Sequence, residues 1–258
     1  MKIKSIIFTF LILFICGVPI PGSSQELTAD LFQPSSLVSR EIAQKQIKKI
    51  YLTSGKRRTF HCGCVFDKLK QVFPDLCGGN YRPERDKREP IELEWHSLMP
   101  ASVFAKTLSC WRKPLCDRPN GKKVKGTQCC SEVSPKFKTM ESDMHNMFPM
   151  VKISETDTFN RHNNFSGMWE YRYCKGKAGK EGTLRKEIRG DASRTYLYMS
   201  FQYKIFLEDS LEDKLRAWHF EDPSNEWEKK RNDMIEVIQG NRNPFIDRPE
   251  LVEKVPDF

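Results

Sequence analysis

The sequence has no long apolar run beyond its first 20 residues, which excludes a protein with several membrane-spanning helices. Paired C-x2-C motifs, typical of structural zinc sites, are also absent, and zinc remains only a minor alternative for the cysteines. No internal repeat, low-complexity tract or clear linker interrupts residues 37–247, so we predict one domain. The chain has only five histidines, so each can be weighed as a catalytic residue.

Residues 1–24 have the pattern of a secretory signal peptide. Lys2 and Lys4 precede the apolar run 6–20, and small residues follow at 22–24. We expect cleavage at the end of this segment, a flexible leader at 25–38, and an exported protein of the periplasm or the extracellular space. The apolar run is too short, and the chain after it too polar, for a membrane span in the mature protein.

Positive charge is in excess over negative charge. Lysine and arginine number 43 and aspartate and glutamate 34, and the formal charge of +9 falls to +7 without Lys2 and Lys4. Such an excess favours an anionic partner such as nucleic acid, anionic lipid or another polyanion. Many proteins merely have basic surfaces, so the charge alone does not identify the partner.

The mature chain keeps an even number of cysteines, which in an exported protein is typical of disulfide bonds. Because adjacent cysteines rarely bond to each other, we predict different partners for the vicinal pair at 129 and 130. The sequence does not determine the pairing. The disulfide candidates are Cys62, Cys64, Cys77, Cys110, Cys116, Cys129, Cys130 and Cys174.

Apolar and polar residues alternate over residues 90–96, which predicts a strand. Trp95 would lie on one face of this strand, and Glu94 and His96 on the other. Ser134 and Pro135 suit the N-cap and first position of a helix. The apolar periodicity predicts helices over 39–52, 135–147, 190–203, 208–218 and 227–240.

The residue types of Glu94 and His96 suit the hydrolysis of a phosphodiester bond. Hydrolysis needs a base to activate water and a cation on the phosphate oxygens. Histidine titrates near neutrality, and a carboxylate is a ligand that Mg²⁺ prefers. By itself the pair is a weak signal, because charged residues are common on the exposed face of a strand.

Six motifs occur along residues 39–247 in a defined order. They are FHCGC (60–64), EWH (94–96) followed by PA (100–101), MESDMHN (140–146), NNF (163–165), GDASRTYLYM (190–199) and QGNRNPFID (239–247). Together they resemble the bacterial endonuclease I family, whose members are exported, disulfide-rich nucleases. The resemblance implies an α+β fold of mixed helices and short strands around a ββα-metal (His-Me finger) active site, with a nuclease domain at 39–247 and a C-terminal tail at 248–258.

The resemblance also implies roles for individual residues. His96 would be the general base, and Glu94 and Asn164 would hold one Mg²⁺ ion, for which Mn²⁺ or Ca²⁺ could substitute in binding. The substrate would be DNA, and RNA as a further candidate, bound through its backbone without sequence specificity and cut to 5′-phosphate products. We expect a monomer.

One departure from the family pattern concerns the Glu-His pair. The family has the two residues adjacent, whereas here Trp95 separates Glu94 from His96, and Pro100 follows His96 by four positions instead of three. Without a gap, His96 would replace the carboxylate and Ser97 would replace the base, and serine is no general base near neutral pH. We favour a one-residue insertion that keeps His96 as the base, and its role as a metal ligand stays open.

A second departure concerns the phosphate contact. In the segment corresponding to residues 121–130, the family often has an arginine ahead of a cysteine, and this arginine contacts the cleaved phosphate. This chain offers Lys123 or Lys125 there. A lysine is a point charge and lacks the bidentate fork of arginine, so the contact would be weaker. The shifted spacing of Glu94 and His96 leaves one rival function open: a noncatalytic nucleic-acid-binding relative that has kept the scaffold.

Four further polar residues in or beside the motifs have structural interpretations. We interpret His145 as a packing or capping residue, and Arg194 with Asp191 as a structural ion pair. His162 is interpreted as a loop residue, with auxiliary metal ligation as the alternative.

Overall fold

A computed structural model describes residues 35–36, 39–77, 91–151 and 184–258 of the chain. The predicted signal peptide and most of the leader lie outside the described residues. So do three individually predicted residues, the metal ligand Asn164, the loop residue His162 and the disulfide candidate Cys174. No helix in the described part of the chain has the length and apolar character to cross a membrane.

Within the described residues, six short strands form two antiparallel sheets. The larger sheet has the order β1-β2-β3-β6, and the smaller one is the β4-β5 hairpin. The strand predicted over 90–96 is confirmed as β3. The strands are β1 (Val65–Phe66), β2 (Gln71–Phe73), β3 (Ile91–Ser97), β4 (Cys116–Asp117), β5 (Lys123–Val124) and β6 (Met147–Val151).

Helices make up most of the described chain, and together with the strands they confirm the predicted α+β class. Four of the five predicted helices lie within a few residues of their predicted bounds. The α-helices are α1 (Arg40–Ser54), α2 (Ala101–Phe104), α3 (Ser109–Arg112), α4 (Thr127–Val133), α5 (Pro135–Ser142), α6 (Arg189–Tyr203), α7 (Asp209–Glu221), α8 (Glu226–Gln239), α9 (Pro244–Asp247) and α10 (Leu251–Lys254).

The prediction of a helix over residues 135–147 is wrong at the C-terminal end. The helix begins as expected, with the Ser134 hydroxyl accepting a hydrogen bond from the Phe137 N–H at 3.2 Å, but it stops at Ser142. Asp143 is extended and its carboxylate accepts from the His145 N–H at 2.9 Å, which starts a separate 3₁₀ turn. An aspartate that bonds its own nearby backbone competes with the helix in this way.

Two packed clusters form the core of the described part of the chain. In one, α1 covers the Trp95 face of the larger sheet with Ile47 and Tyr51. The other surrounds α6, in which Tyr196, Leu197 and the two residues after them are fully buried. A helix that is buried all round has no exposed polar stripe, so α6 forms the centre of the helical layer.

Three disulfide bonds lie within the described residues. They join Cys64 to Cys77, Cys110 to Cys130 and Cys116 to Cys129. Cys62 is also disulfide-bonded. The separate partners predicted for the vicinal pair are therefore confirmed, and two of the bonds hold together the long connection between β3 and β6.

The segment predicted as a tail, 248–258, packs into the core. Leu251, Val252 and Phe258 are buried, and the Phe258 ring lies 5.4 Å from that of Phe245. The Phe258 backbone N–H donates to the Glu212 carboxylate at 3.0 Å. These eleven residues are therefore part of the folded unit.

Candidate active site

Glu94 and His96 meet on one face of β3. His96 Nε2 and Glu94 Oε2 are 2.6 Å apart, and each side chain is about one-third exposed, at 29% and 36%. In the ladder with β6, His96 lies opposite Phe148 and Glu94 opposite Met150. A carboxylate accepts the N–H of the imidazole, so the neutral tautomer carries its proton on Nε2 and its lone pair on Nδ1.

The intervening Trp95 and the following Ser97 lie on the opposite face. Trp95 is buried, with its ring 5.1 Å from that of Tyr51. Ser97 Oγ accepts a hydrogen bond of 3.3 Å from the Arg40 guanidinium of α1. The β3–β6 ladder pairs every residue from 93 to 97 without interruption, so ordinary strand alternation separates the two sets. Ser97 therefore does not point to the Glu94–His96 face.

Asn146 holds the chain that follows the pair. Its Oδ1 accepts from the Met99 N–H at 2.7 Å, and its Nδ2 donates to the Met99 carbonyl at 3.0 Å. The Tyr196 hydroxyl of α6 donates to the neighbouring Leu98 carbonyl at 3.1 Å. All of these groups are buried, so the end of β3 is fixed by bonds that water cannot easily replace.

A buried carboxylate connects three of the sequence motifs. Asp143 Oδ2 accepts from the hydroxyls of Tyr198 at 2.7 Å and Tyr203 at 2.6 Å. Asp143 Oδ1 accepts from Gln239 Nε2 at 2.9 Å. Burial, followed by the Asp143 charge, raises the pKa of both tyrosines well above the usual value, so they remain donors. The network joins the turn before β6 to helices α6 and α8.

Arg194 forms the structural ion pair predicted for it, but with a different principal partner. The guanidinium makes two 2.7 Å hydrogen bonds to the Glu228 carboxylate, whereas Asp191 lies 3.9 Å away. Sequence reasoning missed Glu228, which is 34 residues further along the chain. Both Arg194 and Glu228 are buried, so the pair links α6 to α8 and is unavailable to substrate.

His145 and His219 are structural residues. His145 is 1% exposed, and its Nε2 is 3.2 Å from the Asn241 carbonyl. Burial lowers the pKa of His145 from 6.5 to about 4, and burial also lowers the pKa of His219 to about 4. Both are neutral near pH 7, which agrees with the packing role predicted for His145.

The two predicted phosphate-binding lysines lie on the separate β4-β5 hairpin. Lys123 is exposed and forms an ion pair of 2.9 Å with Asp117. Lys125 follows β5 and is also exposed. An exposed ion pair contributes little energy, so Lys123 can exchange Asp117 for another anion. Phosphate binding by Lys123 and Lys125 therefore stays a prediction.

The Glu94–His96 face offers one carboxylate and one imidazole to a cation. Among residues 35–36, 39–77, 91–151 and 184–258, no three His, Cys, Asp or Glu side chains converge as a ready-made metal cluster. Mg²⁺ needs only one or two carboxylates because it keeps several water ligands. The exposed Glu94 carboxylate therefore fits such an ion, and the role of Asn164, outside the described residues, stays a prediction.

Comparison with known proteins identifies the family. The family model described as Endonuclease I matches residues 29–250. The chain belongs to the endonuclease I family. It is 33% identical over 197 residues to an extracellular deoxyribonuclease of Aeromonas hydrophila, covering 74% of this chain and 82% of that protein.

Two further relatives match over similar lengths. A periplasmic deoxyribonuclease of Aeromonas hydrophila is 32% identical, with coverage of 74% of this chain and 78% of the relative. Endonuclease-1 of Buchnera aphidicola (from Acyrthosiphon pisum) is 28% identical, with coverage of 79% of each. Membership of the endonuclease I family confirms the resemblance drawn from the six motifs and the prediction of a nuclease.

Sequence reasoning also missed a group of basic residues outside the Glu94–His96 face. Arg58 and Arg185 both bind the loop at 60–63, through the carbonyls of Gly63, His61 and Phe60. The basic run KRR at 56–58 is visible in the sequence. Arg185 lies too far along the chain for its proximity to be predicted without the fold.

Proposed function

We propose that the protein is an exported, metal-dependent endonuclease that hydrolyses phosphodiester bonds of DNA with His96 as the general base. The observation that carries the proposal is the 2.6 Å contact between His96 Nε2 and Glu94 Oε2 on an accessible strand face. Family membership supports the reaction class, and the relatives named extracellular and periplasmic deoxyribonucleases support DNA as substrate and export from the cytoplasm.

His96 would take the proton of the attacking water. The Glu94 carboxylate accepts the Nε2–H, which orients the ring and stabilises the imidazolium that forms when Nδ1 receives a proton. The β6 ladder and the Asn146 bonds to Met99 hold this strand rigidly, so the base is positioned before substrate arrives.

Glu94 and Asn164 are the residues that would hold one Mg²⁺ ion, and Mn²⁺ or Ca²⁺ could replace it in binding. A bound divalent ion would supply positive charge to the phosphate oxygens and the leaving oxygen. Glu94 would then contribute a carboxylate oxygen to the ion while remaining beside His96. Products with a 5′-phosphate follow if the 3′-oxygen is the leaving group.

The substrate would be held mainly through its phosphates, by a monomeric protein. The formal charge of +7 after removal of the signal peptide suits this mode, and Lys123 and Lys125 are candidates for two such contacts. Phosphate contacts position a nucleic acid without reading its bases, so cleavage without sequence specificity is expected. RNA, which has the same backbone charge, is proposed as a second substrate.

Replacing the base tests the proposal. The purified mature protein should nick supercoiled plasmid with Mg²⁺ and stop when EDTA is added. His96→Ala should lower the cleavage rate by about 10²–10⁴-fold, the usual contribution of a general base. Absence of EDTA-sensitive nicking by the parent would contradict the proposed enzyme and favour the noncatalytic relative.

Ser97→Ala is the matched control for this experiment. Ser97 is the next residue of β3 but lies on the opposite face, against Arg40, so its loss should leave the rate within a few fold of the parent. A large loss in Ser97→Ala with full activity in His96→Ala would instead assign the base to the position that the ungapped family pattern indicates.

A further inference from the structure

A cleft of about 590 Å³ lies beside the β6 edge of the larger sheet. Its walls come from the loop after α1, from Phe148 and Pro149 of β6, and from the first turns of α6 and α8. The cations among its lining residues are Lys56, Arg58, Arg185 and Arg231.

The three arginines of the cleft bind main-chain carbonyls. Arg58 Nη1 donates to the Gly63 carbonyl at 2.9 Å. Arg185 donates to the carbonyls of His61 and Phe60 at 2.8 and 2.9 Å. Carbonyls fix the position of a guanidinium without neutralising its charge, so these bonds leave the positive charge available to an anion.

Main-chain carbonyls also hold the guanidinium of Arg231. Arg231 donates to the carbonyls of Met144 at 2.7 Å and Met147 at 2.9 Å, and its guanidinium lies 4.4 Å from the centre of the Phe148 ring. Its 4% exposure makes it a fixed positive charge in the wall. Lys56 and Arg58 also line the cleft and are exposed, so they can contact a ligand directly.

The acidic residues of the cleft offset little of this charge. Glu228 is neutralised by Arg194, and Glu226 is almost fully exposed and lies 3.4 Å from Lys229. Burial, with the nearby Glu228 charge, raises the pKa of Asp191 well above its usual value and so favours its neutral form. Glu187 is the fourth carboxylate among the described lining residues, 3.7 Å from Arg185 and 60% exposed.

The cleft adjoins the proposed catalytic strand. Phe148 is a wall residue of the cleft and also lies directly opposite His96 in the β3–β6 ladder. Opposite residues of an antiparallel pair are separated by about 5 Å between their Cα atoms. The wall of the cleft at Phe148 is therefore one strand spacing from the candidate base.

We propose that this cleft is a second phosphate-binding site, in which Arg58 and Lys56, backed by Arg185, bind a backbone phosphate of the strand whose scissile bond lies at His96. The inference rests on the proposed nuclease function and adds to it a contact remote from the Glu94–His96 pair. The proposed ligand of the cleft is a phosphodiester group of a polynucleotide.

The salt dependence of binding tests the site. Binding of a fluorescent duplex oligonucleotide is measured by anisotropy in EDTA at several salt concentrations, for the parent and for Lys56→Gln/Arg58→Gln. Loss of one phosphate contact should reduce the slope of log affinity against log salt by about 0.9. Arg57→Gln is the control for a general loss of charge, since Arg57 is adjacent in sequence but is not a lining residue of the cleft. It removes one positive charge, and the double variant removes two.

The outcomes distinguish the site from a general charge effect. A general charge effect would give the double variant about twice the change of slope of Arg57→Gln, so a change in the double variant no larger than that would overturn the proposal. A site for free phosphate alone predicts that the double variant binds the oligonucleotide like the parent and that inorganic phosphate at constant ionic strength displaces it equally from both proteins, and that result would also overturn the proposal. Binding is measured in EDTA, without cleavage. The binding assay therefore tests the cleft, and the nicking assay separately tests the proposed enzyme activity.

Discussion

At the scale of single residues, strand geometry explains the unusual spacing of the candidate pair. Trp95 lies between Glu94 and His96 in sequence, yet its side chain is buried against Tyr51 on the other face. The pleat of a strand returns every second residue to the same face. A Glu-Trp-His order can therefore bring the carboxylate and the imidazole into contact.

Buried histidine makes the fold sensitive to acid. His145 has a pKa of about 4 in the folded protein against an ordinary value of 6.5, so the unfolded chain takes up a proton first as the pH falls. Its contribution to stability is complete above pH 6.5 and is lost between pH 6.5 and about 4, at about 1.4 kcal/mol per pH unit. Urea unfolding of the parent at pH 7 and pH 5 should show this loss.

His145→Gln isolates this effect from the other titrating groups. Glutamine keeps a polar side chain without a titrating imidazole, so the variant is expected to start less stable and to lose less stability between pH 7 and pH 5. His219 titrates in the same direction and remains in both proteins. Equal losses in parent and variant would show that His145 is not held neutral in the fold.

At the scale of elements, one carboxylate joins the segment before β6 to two helices. Asp143 accepts from Tyr198 and Tyr203 of α6 and from Gln239 of α8, all in the interior. Each bond to a charged acceptor in such a site is stronger than a bond between neutral groups. The motif residues in this network thus have a structural role in holding β6, and through it β3.

Asp143→Asn should destabilise the protein by about 3 kcal/mol, because the amide is uncharged and presents a donor towards existing donors. Tyr203→Phe is the milder comparison, since it removes one hydroxyl and should cost about 1–2 kcal/mol. Chemical denaturation measures both free energies of unfolding. A loss in Asp143→Asn no larger than in Tyr203→Phe would contradict the central role of the carboxylate.

At the scale of the whole molecule, residues 248–258 complete the helical core. Phe258 packs against Phe201 and Phe245, and the guanidinium of Arg216 lies 4.8 Å from its ring centre. The Leu207 N–H donates to the Phe258 carbonyl at 3.0 Å. The segment therefore connects the chain after α6 to the rest of the fold.

Phe258→Ala is expected to lower the free energy of unfolding by about 3–5 kcal/mol, as for other buried phenylalanines. Phe206→Ala is the matched control, because Phe206 is 53% exposed and its removal should cost less than about 1 kcal/mol. Thermal or urea unfolding compares the two. Similar costs for both variants would show that the segment is only loosely attached.

The sequence by itself determined the local structure and the family. Alternation over residues 90–96 located β3 and paired Glu94 with His96, and the predicted N-cap at Ser134 began α5 as expected. These features depend on neighbours within a few residues, for which backbone geometry is sufficient. Six ordered motifs identified the endonuclease I family, since a shared order of motifs does not need coordinates.

Only the tertiary structure decided which distant residues meet. The choice of Glu228 as partner of Arg194 and the cleft shared by Arg58 and Arg185 both depend on groups far apart along the chain. The disulfide pairing has the same origin, because spacing allows many connectivities and the packed fold brings together only particular cysteines. Buried charge and polar groups must find partners wherever the fold places them, and no local pattern encodes those partners.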